Sequence, residues 1–113
     1  MIKIEAIIQP FKLDDVKVAL ERLGIVGITI SHVFVHGGLA GQRVFYRGTK
    51  YDADAQGVKL ELLVSSLVAD EAIDALSRAA RTGTPGDDGT IMVSEIDDAI
   101  RVRSGQSIEF TLS

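Results

Sequence analysis

The sequence predicts an α+β fold in which two strand–helix–strand units share one sheet. Apolar and polar residues alternate over residues 2–8 and again over 58–64, which is typical of strands. Each stretch is followed by apolar residues at helical spacing, over residues 13–23 and 68–81. Residues 27–35 are rich in β-branched side chains and predict a further strand. This order is that of a ferredoxin-like βαββαβ sandwich.

The limits of the first unit are marked by single residues. Pro10 ends the first strand because it has no amide hydrogen to donate to a neighbouring strand. Asp14 and Asp15 place negative charge at the start of the first helix, where the helix dipole favours it. Gly24 stands where a helix C-cap glycine is expected.

The second unit repeats this order. Asp70 and Glu71 open the second helix, which is predicted to end near Arg81, before Gly83. The segments that follow are a turn, a fourth strand, a short edge strand and a short C-terminal strand, over residues 82–90, 91–93, 99–103 and 108–112 respectively.

A long loop is predicted between the second and third strands, because residues 36–57 show no sustained apolar period. Loops of this length inside a compact domain are uncommon and are often functional. The middle of the loop carries aromatic and cationic side chains that suit contact with a partner protein. These predicted partner-binding residues are Phe45, Tyr46, Arg47, Lys50 and Tyr51. The alternative is a disordered loop without a function.

Composition limits the class of protein. The 113 residues, 46% of them hydrophobic and 25% charged, predict one soluble globular domain over residues 1–113. A net charge of −4 without a basic run argues against a nucleic-acid partner. No apolar run is long enough to span a membrane, so we expect a cytoplasmic protein without direct membrane insertion. The absence of cysteine excludes disulfides and thiolate metal sites.

Oligomerisation follows from the number of helices. Two helices can cover only one face of a four-stranded sheet. Residues such as Ile7 and Leu63 alternate with Ile4 and Leu62, which suggests that both faces carry apolar side chains. Burial of the second face against copies of the same chain predicts a closed homo-oligomer.

Two segments are candidates for binding phosphate. The glycines of residues 82–90 would let backbone N–H groups approach an anion closely, although no Gly-Lys-Ser/Thr follows as in a Walker loop. Arg101 and Arg103 are predicted to share one side of an extended segment, and guanidinium groups bind phosphate oxygens well. The plainer alternatives are a polar surface turn and a solvated pair on an edge strand.

Catalytic and metal-binding chemistry has little support from the residues. His32 and His36 lack a defined third ligand, so they make a poor metal site. The paired carboxylates have no nearby candidate nucleophile. The enzymatic alternative is a phosphatase or nucleotide hydrolase that uses Asp87. We therefore predict a protein that is not an enzyme and has no metal site.

Four motifs together resemble the PII signal-transduction family, across residues 1–105. They are Ile-Glu-Ala-Ile-Ile-Gln-Pro-Phe-Lys-Leu-Asp-Asp-Val (4–16), Tyr-Arg-Gly-Thr-Lys-Tyr (46–51), Arg-Thr-Gly (81–83) with Gly-Asp (86–87), and Ile-Arg-Val-Arg (100–103). The first two motifs are the most specific of the four.

The resemblance implies a homotrimer of ferredoxin-like subunits that binds adenine nucleotide (ADP, AMP or ATP) between neighbours. Residues 37–57 would be the family's T-loop, which reaches a partner such as an ammonium transporter or a nitrogen-metabolism enzyme. Residues 82–90 would be the phosphate-binding B-loop, followed by a C-terminal segment at 99–113. Tyr51 falls on a tyrosine that some members modify with a nucleotidyl group. The nucleotide-binding positions would be Thr29, Gly37, Gly86, Asp87, Asp88, Gly89, Thr90, Arg101 and Arg103.

Several residues depart from the family pattern. One of them is Gln9, which stands where a lysine is common. Gly38 and Leu39 stand where members that sense 2-oxoglutarate usually have arginine and glutamine, the glutamine helping to hold magnesium and 2-oxoglutarate. Gly57 stands near the place of a usual lysine. In the B-loop, Asp88 adds a carboxylate and Thr90 replaces a lysine.

These departures predict weaker contacts to the distal phosphates of a nucleotide. Each lost charge-assisted hydrogen bond costs about 1.5 to 3 kcal/mol. The hypothesis is a site that prefers ADP or AMP to Mg-ATP and does not respond to 2-oxoglutarate in the usual way. The resulting alternative is a divergent PII-like sensor that regulates another transporter or metabolic enzyme.

Overall fold

The computed structural model describes residues 1–37, 39, 43–46, 49–52, 54–83 and 88–108. The elements, in chain order, are β1 (Ile2–Ile8), a 3₁₀ turn (Pro10–Lys12), α1 (Leu13–Glu21), β2 (Ile28–His36), β3 (Arg43–Tyr46), β4 (Thr49–Asp52), β5 (Asp54–Val64), α2 (Ala69–Ala80) and β6 (Gly89–Glu95).

Four of the strands form one antiparallel sheet in the order β2-β5-β1-β6. The central strands β5 and β1 are joined to the edge strands through α1 and α2, so each strand–helix–strand unit encloses a strand of the other unit. This arrangement confirms the predicted ferredoxin-like α+β class with a C-terminal strand.

Both helices begin where acidic residues were expected. Asp14 and Asp15 lie in the first turn of α1, and Asp70 and Glu71 lie in the first turn of α2. Negative charge there offsets the positive end of the helix dipole. Among the described residues, no helix is both long enough and apolar enough to cross a membrane.

The core lies between the helices and one face of the sheet. Ile4 and Ile8 of β1, Leu60 of β5, Leu20 of α1 and Leu76 of α2 are almost completely buried. Removal of such a side chain from water stabilises the fold by roughly 1.5 to 3 kcal/mol. Buried residues recur at helical spacing along α2, which confirms the predicted apolar stripe.

The loop region contains more strand than predicted. β5 begins at Asp54 rather than at residue 58, and β2 continues to His36, which pairs with Asp54. Within the loop, β3 and β4 form a separate two-stranded hairpin. Apolar periodicity missed this extension because pairing of backbone groups between two adjacent strands does not require alternating side chains.

The predicted edge strand over residues 99–103 is wrong, because this segment enters a tight turn. The backbone N–H of Arg101 donates to the carbonyl oxygen of Gln106 at 2.9 Å. Gly105 adopts a φ of +69°, which lets the chain reverse at that point. Arg101 and Arg103 therefore do not lie along one side of an extended segment.

The face of the sheet that is turned away from the helices is charged at its centre. Lys3 Nζ lies 2.9 Å from Glu5 Oε1, and Lys59 Nζ lies 3.0 Å from Glu61 Oε1. The cross pairs Lys3–Glu61 and Lys59–Glu5 measure 3.8 and 3.5 Å. Ile7 and Leu63 lie on the same face, because they pair directly with Lys59 and Lys3. The face therefore carries apolar side chains, as expected, beside a charged centre of two lysines and two glutamates.

We predict that Glu5 makes stability depend on acidic pH. The hydrogen bond from Lys3 holds the pKa of Glu5 below its ordinary value. A carboxylate with a lowered pKa stabilises the fold above that ordinary value, and the contribution is lost as pH falls through the lowered pKa. Between about pH 5 and about pH 3 the urea midpoint should therefore fall more steeply in the wild type than in Glu5→Gln. The exposed Glu95→Gln variant is the control, and equal slopes for all three proteins would contradict the prediction.

Candidate functional site

A cleft of about 740 Å³ opens at one end of the sheet, between the start of β2, the end of β5 and the C-terminal segment. Thr29 and Arg101, two of the predicted nucleotide contacts, both line it. Lys3 and Glu61 line it as well. The cleft thus combines a hydroxyl group, a guanidinium, an ammonium and a carboxylate, which can hydrogen-bond a polar ligand.

Strand register explains how Thr29 and Glu61 come together. Thr29 directly opposes Glu61 on the neighbouring strand, so both side chains stand on the charged face of the sheet. Sequence reasoning selected Thr29 through the family resemblance and missed Glu61 and Lys3. The sequence did contain a signal for both residues. Each is adjacent to a buried residue, Leu62 or Ile4, and therefore lies on the opposite, uncovered face of the sheet.

Asp98 anchors the C-terminal segment that forms one wall of the cleft. Its Oδ1 accepts a hydrogen bond from the N–H of Ala99 at 2.8 Å, and its Oδ2 accepts one from the hydroxyl of Ser107 at 3.0 Å. A β-bridge between Ile100 and Ser107 closes the same turn. These contacts hold the Arg101 backbone beside the cleft, whereas Arg103 lies exposed in the turn and does not line the cleft.

The second group of predicted contacts lies at the start of β6. A Cβ atom on Gly89 would lie 2.0 Å from the carbonyl oxygen of Ile7, and Gly89 has a φ of +115°. Only glycine fits such an approach, so the close packing of β6 on β1 depends on it. Thr90 follows directly, opposite Ile7, and is exposed.

Asp88 closes the neck of the glycine-rich turn. Its Oδ1 accepts hydrogen bonds from the backbone N–H of Thr82 at 2.6 Å and from the Thr82 hydroxyl at 2.5 Å. These bonds hold the pKa of Asp88 below its ordinary value. The additional carboxylate is therefore engaged with the protein's own backbone, which gives it a structural role at the entrance of the turn.

The two groups lie at opposite edges of the sheet. Thr29, Glu61, Glu5 and Met92 stand in one row across the four strands. Three interstrand spacings of about 4.8 Å put Thr29 roughly 14 Å from β6, the strand that carries Gly89 and Thr90. The described part of one chain therefore does not bring the predicted nucleotide contacts together in one site.

The loop contributes the remaining predicted residues. Gly37 directly follows β2, with a φ of +88°. The backbone of Phe45 and Tyr46 belongs to β3, and that of Lys50 and Tyr51 to β4. The other predictions that lie outside the described residues concern Gly86, Asp87, Arg47 and the part of the final strand beyond Ile108. Modification of Tyr51 stays a prediction.

Metal ligands are not clustered in the described part of the chain: no three His, Asp or Glu side chains there are placed to hold one ion. His36 instead hydrogen-bonds through Nδ1 to Asp54 Oδ1 at 2.6 Å.

We predict that loss of the Asp88 carboxylate opens the neck of the turn. In Asp88→Ala the hydrogen bond from the N–H of Thr82 to Asp88 is removed, so hydrogen exchange of that amide should become faster. In the wild type, protection of the Thr82 amide from exchange should decrease as pH falls through the lowered pKa of Asp88, because the protonated carboxyl is a poorer acceptor. The difference between the wild type and Asp88→Ala should therefore become smaller at low pH. Exchange measured by NMR or mass spectrometry tests this, with Asp70→Ala as the control. Unchanged exchange at Thr82 would refute the structural role.

Comparison with known proteins agrees with this architecture. The family model described as Nitrogen regulatory protein P-II matches residues 1–106. The protein of that name from Bradyrhizobium diazoefficiens is 48% identical over 108 residues, which cover 95% of this chain and 96% of the relative. Those from Synechocystis sp. and Nostoc punctiforme are 47% and 46% identical over 107 residues, which cover 94% of this chain and 95% of each relative. Sequence and fold together establish that the chain belongs to the nitrogen regulatory protein P-II family.

Proposed function

We propose that this protein is a nitrogen-signalling regulator, without enzymatic activity, that binds adenine nucleotide at a site shared by two subunits. The observation that carries the proposal is the separation of the two groups of predicted contacts. Thr29 lines the cleft from the edge strand β2, whereas Gly89 and Thr90 lie at the start of the opposite edge strand β6. One chain thus presents each group of predicted nucleotide contacts in a different place. The β6 edge of a neighbouring subunit, placed beside the cleft, would bring the two groups together in one complete site.

The chemistry of each edge suits a different part of a nucleotide. The cleft beside Thr29 offers donors and acceptors suited to a base and a ribose, and Arg101 adds a cation. The turn before Gly89 offers backbone N–H groups, which suit phosphate oxygens. Closed rings of identical subunits bring two different edges of the same chain together repeatedly. A homotrimer is the assembly expected in this family.

Nucleotide preference follows from the cations that the site lacks. Thr90 is a short neutral residue at the start of β6, and Gly38 carries no side chain at the loop entry. Fewer cations near the distal phosphates reduce the advantage of ATP over ADP and AMP. The hydrogen bonds from Thr82 to Asp88 partly satisfy that carboxylate, yet its negative charge still disfavours a triphosphate nearby.

The loop would transmit nucleotide occupancy to a protein partner. The same strand, β2, carries Thr29 near its start, and Gly37 follows its end at the entry to the loop. A nucleotide that binds one loop conformation more tightly than another shifts the population of that conformation. The partner would be an ammonium transporter or a nitrogen-metabolism enzyme, and it would contact the hairpin formed by β3 and β4.

We predict that calorimetric titration yields tighter binding of ADP or AMP than of Mg-ATP, without enhancement by 2-oxoglutarate. Arg101→Ala should weaken ADP binding about tenfold to a hundredfold, because one charge-assisted hydrogen bond is removed. Arg22→Ala, an exposed arginine on the opposite face of the molecule, is the matched control. Cooperative binding of Mg-ATP and 2-oxoglutarate would contradict the proposed preference. Absence of any nucleotide binding would contradict the proposed site.

We also predict a trimer, because the site is incomplete in one chain and three subunits are expected in this family. Native mass spectrometry should show an assembly of three 12.1 kDa chains. ADP should stabilise the trimer against dilution, since a ligand that contacts two subunits favours their association. A monomer that binds ADP with unchanged affinity would overturn the shared site.

A further inference from the structure

Leu39 is an apolar residue at the entry to the loop whose side chain is almost completely buried. Its side chain is only 6% exposed, although it lies beyond the end of β2 at the entry to the loop. By contrast, Phe34 near the end of β2 is 73% exposed. Burial of a leucine outside the helix-covered core requires a specific receiving surface, because both helices lie on the other face of the sheet.

That receiving surface is centred on Gly57 of β5. A Cβ atom on Gly57 would lie 3.0 Å from Leu39 Cδ2, 3.1 Å from Ile7 Cγ2 and 3.5 Å from Val33 Cγ2. Val33 opposes Gly57 directly across the ladder, and Ile7 is on β1. The Leu39 methyl group thus lies against a space that glycine leaves open, between apolar groups of two other strands.

A second contact secures the loop base on the opposite face. His36 and Asp54 form the last paired positions of β2 and β5, and their side chains hydrogen-bond at 2.6 Å. Val33 and His36 lie an odd number of residues apart, so their side chains are on opposite faces of the sheet. The loop base is therefore held on one face by an apolar contact and on the other by a polar one.

We propose that Leu39 and Gly57 form a hydrophobic latch that holds the base of the loop against the sheet when no ligand is bound. Leu39 supplies the apolar side chain, and Gly57 leaves the space that this side chain packs against, because glycine has no side chain. The latch sets the direction in which the chain leaves β2 at Gly37. It acts through packing alone, so the loop base is ordered without an anionic effector or a metal ion.

Hydrogen exchange of the nucleotide-free protein tests the latch. Leu39→Ala should accelerate exchange of the amides at residues 33–36 and 54–57 by about tenfold or more, since the leucine contact is lost. Amides of residues 4–8 in the centre of the sheet should keep their wild-type exchange. Leu67→Ala, which truncates a leucine that is 69% exposed, is the matched control and should change neither segment.

Two substitutions of Leu39 that are similar in size but differ in polarity distinguish loss of apolar packing from a non-specific effect of mutating this position. Leu39→Met keeps an apolar side chain of similar volume and should retain protection of residues 54–57. Leu39→Gln places an amide against Ile7 and Val33 and should lose protection as Leu39→Ala does. Equal protection in the methionine and glutamine variants would overturn the latch, because packing would then not be the source of the order.

A double-mutant cycle of Leu39 and Gly57 tests the contact between these two residues. In the wild type, Gly57→Ala places a methyl group about 3 Å from the Leu39 and Ile7 methyl groups and should accelerate exchange at the loop base. In the Leu39→Ala background the same change fills the vacated space and should slow exchange. This reversal of sign is the expected result, and additive effects of the two substitutions would refute the proposed pairing.

The experiments can refute the latch and the proposed nucleotide site independently of each other. Exchange is measured without nucleotide, so an unprotected loop base in the wild type overturns the latch and leaves ADP binding unaffected. Loss of ADP binding in Arg101→Ala with normal protection at residues 54–57 supports both proposals independently.

Discussion

Antiparallel pairing of β5 with β1 on one side and β2 on the other is the constraint on which the rest of the structure depends. A shift of one residue in this register would move every side chain of β5 to the other face. The buried residues Val58, Leu60, Leu62 and Val64 would then face the charged surface. The same register opposes Thr29 to Glu61, a pairing that forms part of the cleft. Core and candidate site are thus set by one alignment.

The charged centre of the uncovered face has a consequence for assembly. Lys3, Glu5, Lys59 and Glu61 satisfy one another within one chain, so this part of the surface needs no apolar cover. Isolated ion pairs at such exposure add little to stability individually. Their value here is that they keep the centre of the sheet polar, while the edges of the sheet carry the groups expected to meet a neighbouring subunit.

The loop base shows how a change in side-chain size can alter regulation. The family pattern has a glutamine at the position of Leu39 and a lysine near that of Gly57. Here a leucine packs against the space above a glycine. The proposed latch would thus replace polar side chains at the loop base by an apolar contact that needs no ligand.

The sequence by itself determined the ferredoxin-like class, both helices and the four strands of the main sheet, because apolar periodicity and helix-end charges are local signals. The family resemblance also indicated Thr29 and Arg101 as nucleotide contacts; both line the cleft, and their role stays a prediction. Only the tertiary structure decided that Thr29 lies at the opposite edge of the sheet from Gly89 and Thr90. It also decided that the chain turns after Arg101 and that Leu39 is buried over Gly57. These features depend on strand register and on contacts between residues distant in sequence, which no local pattern encodes.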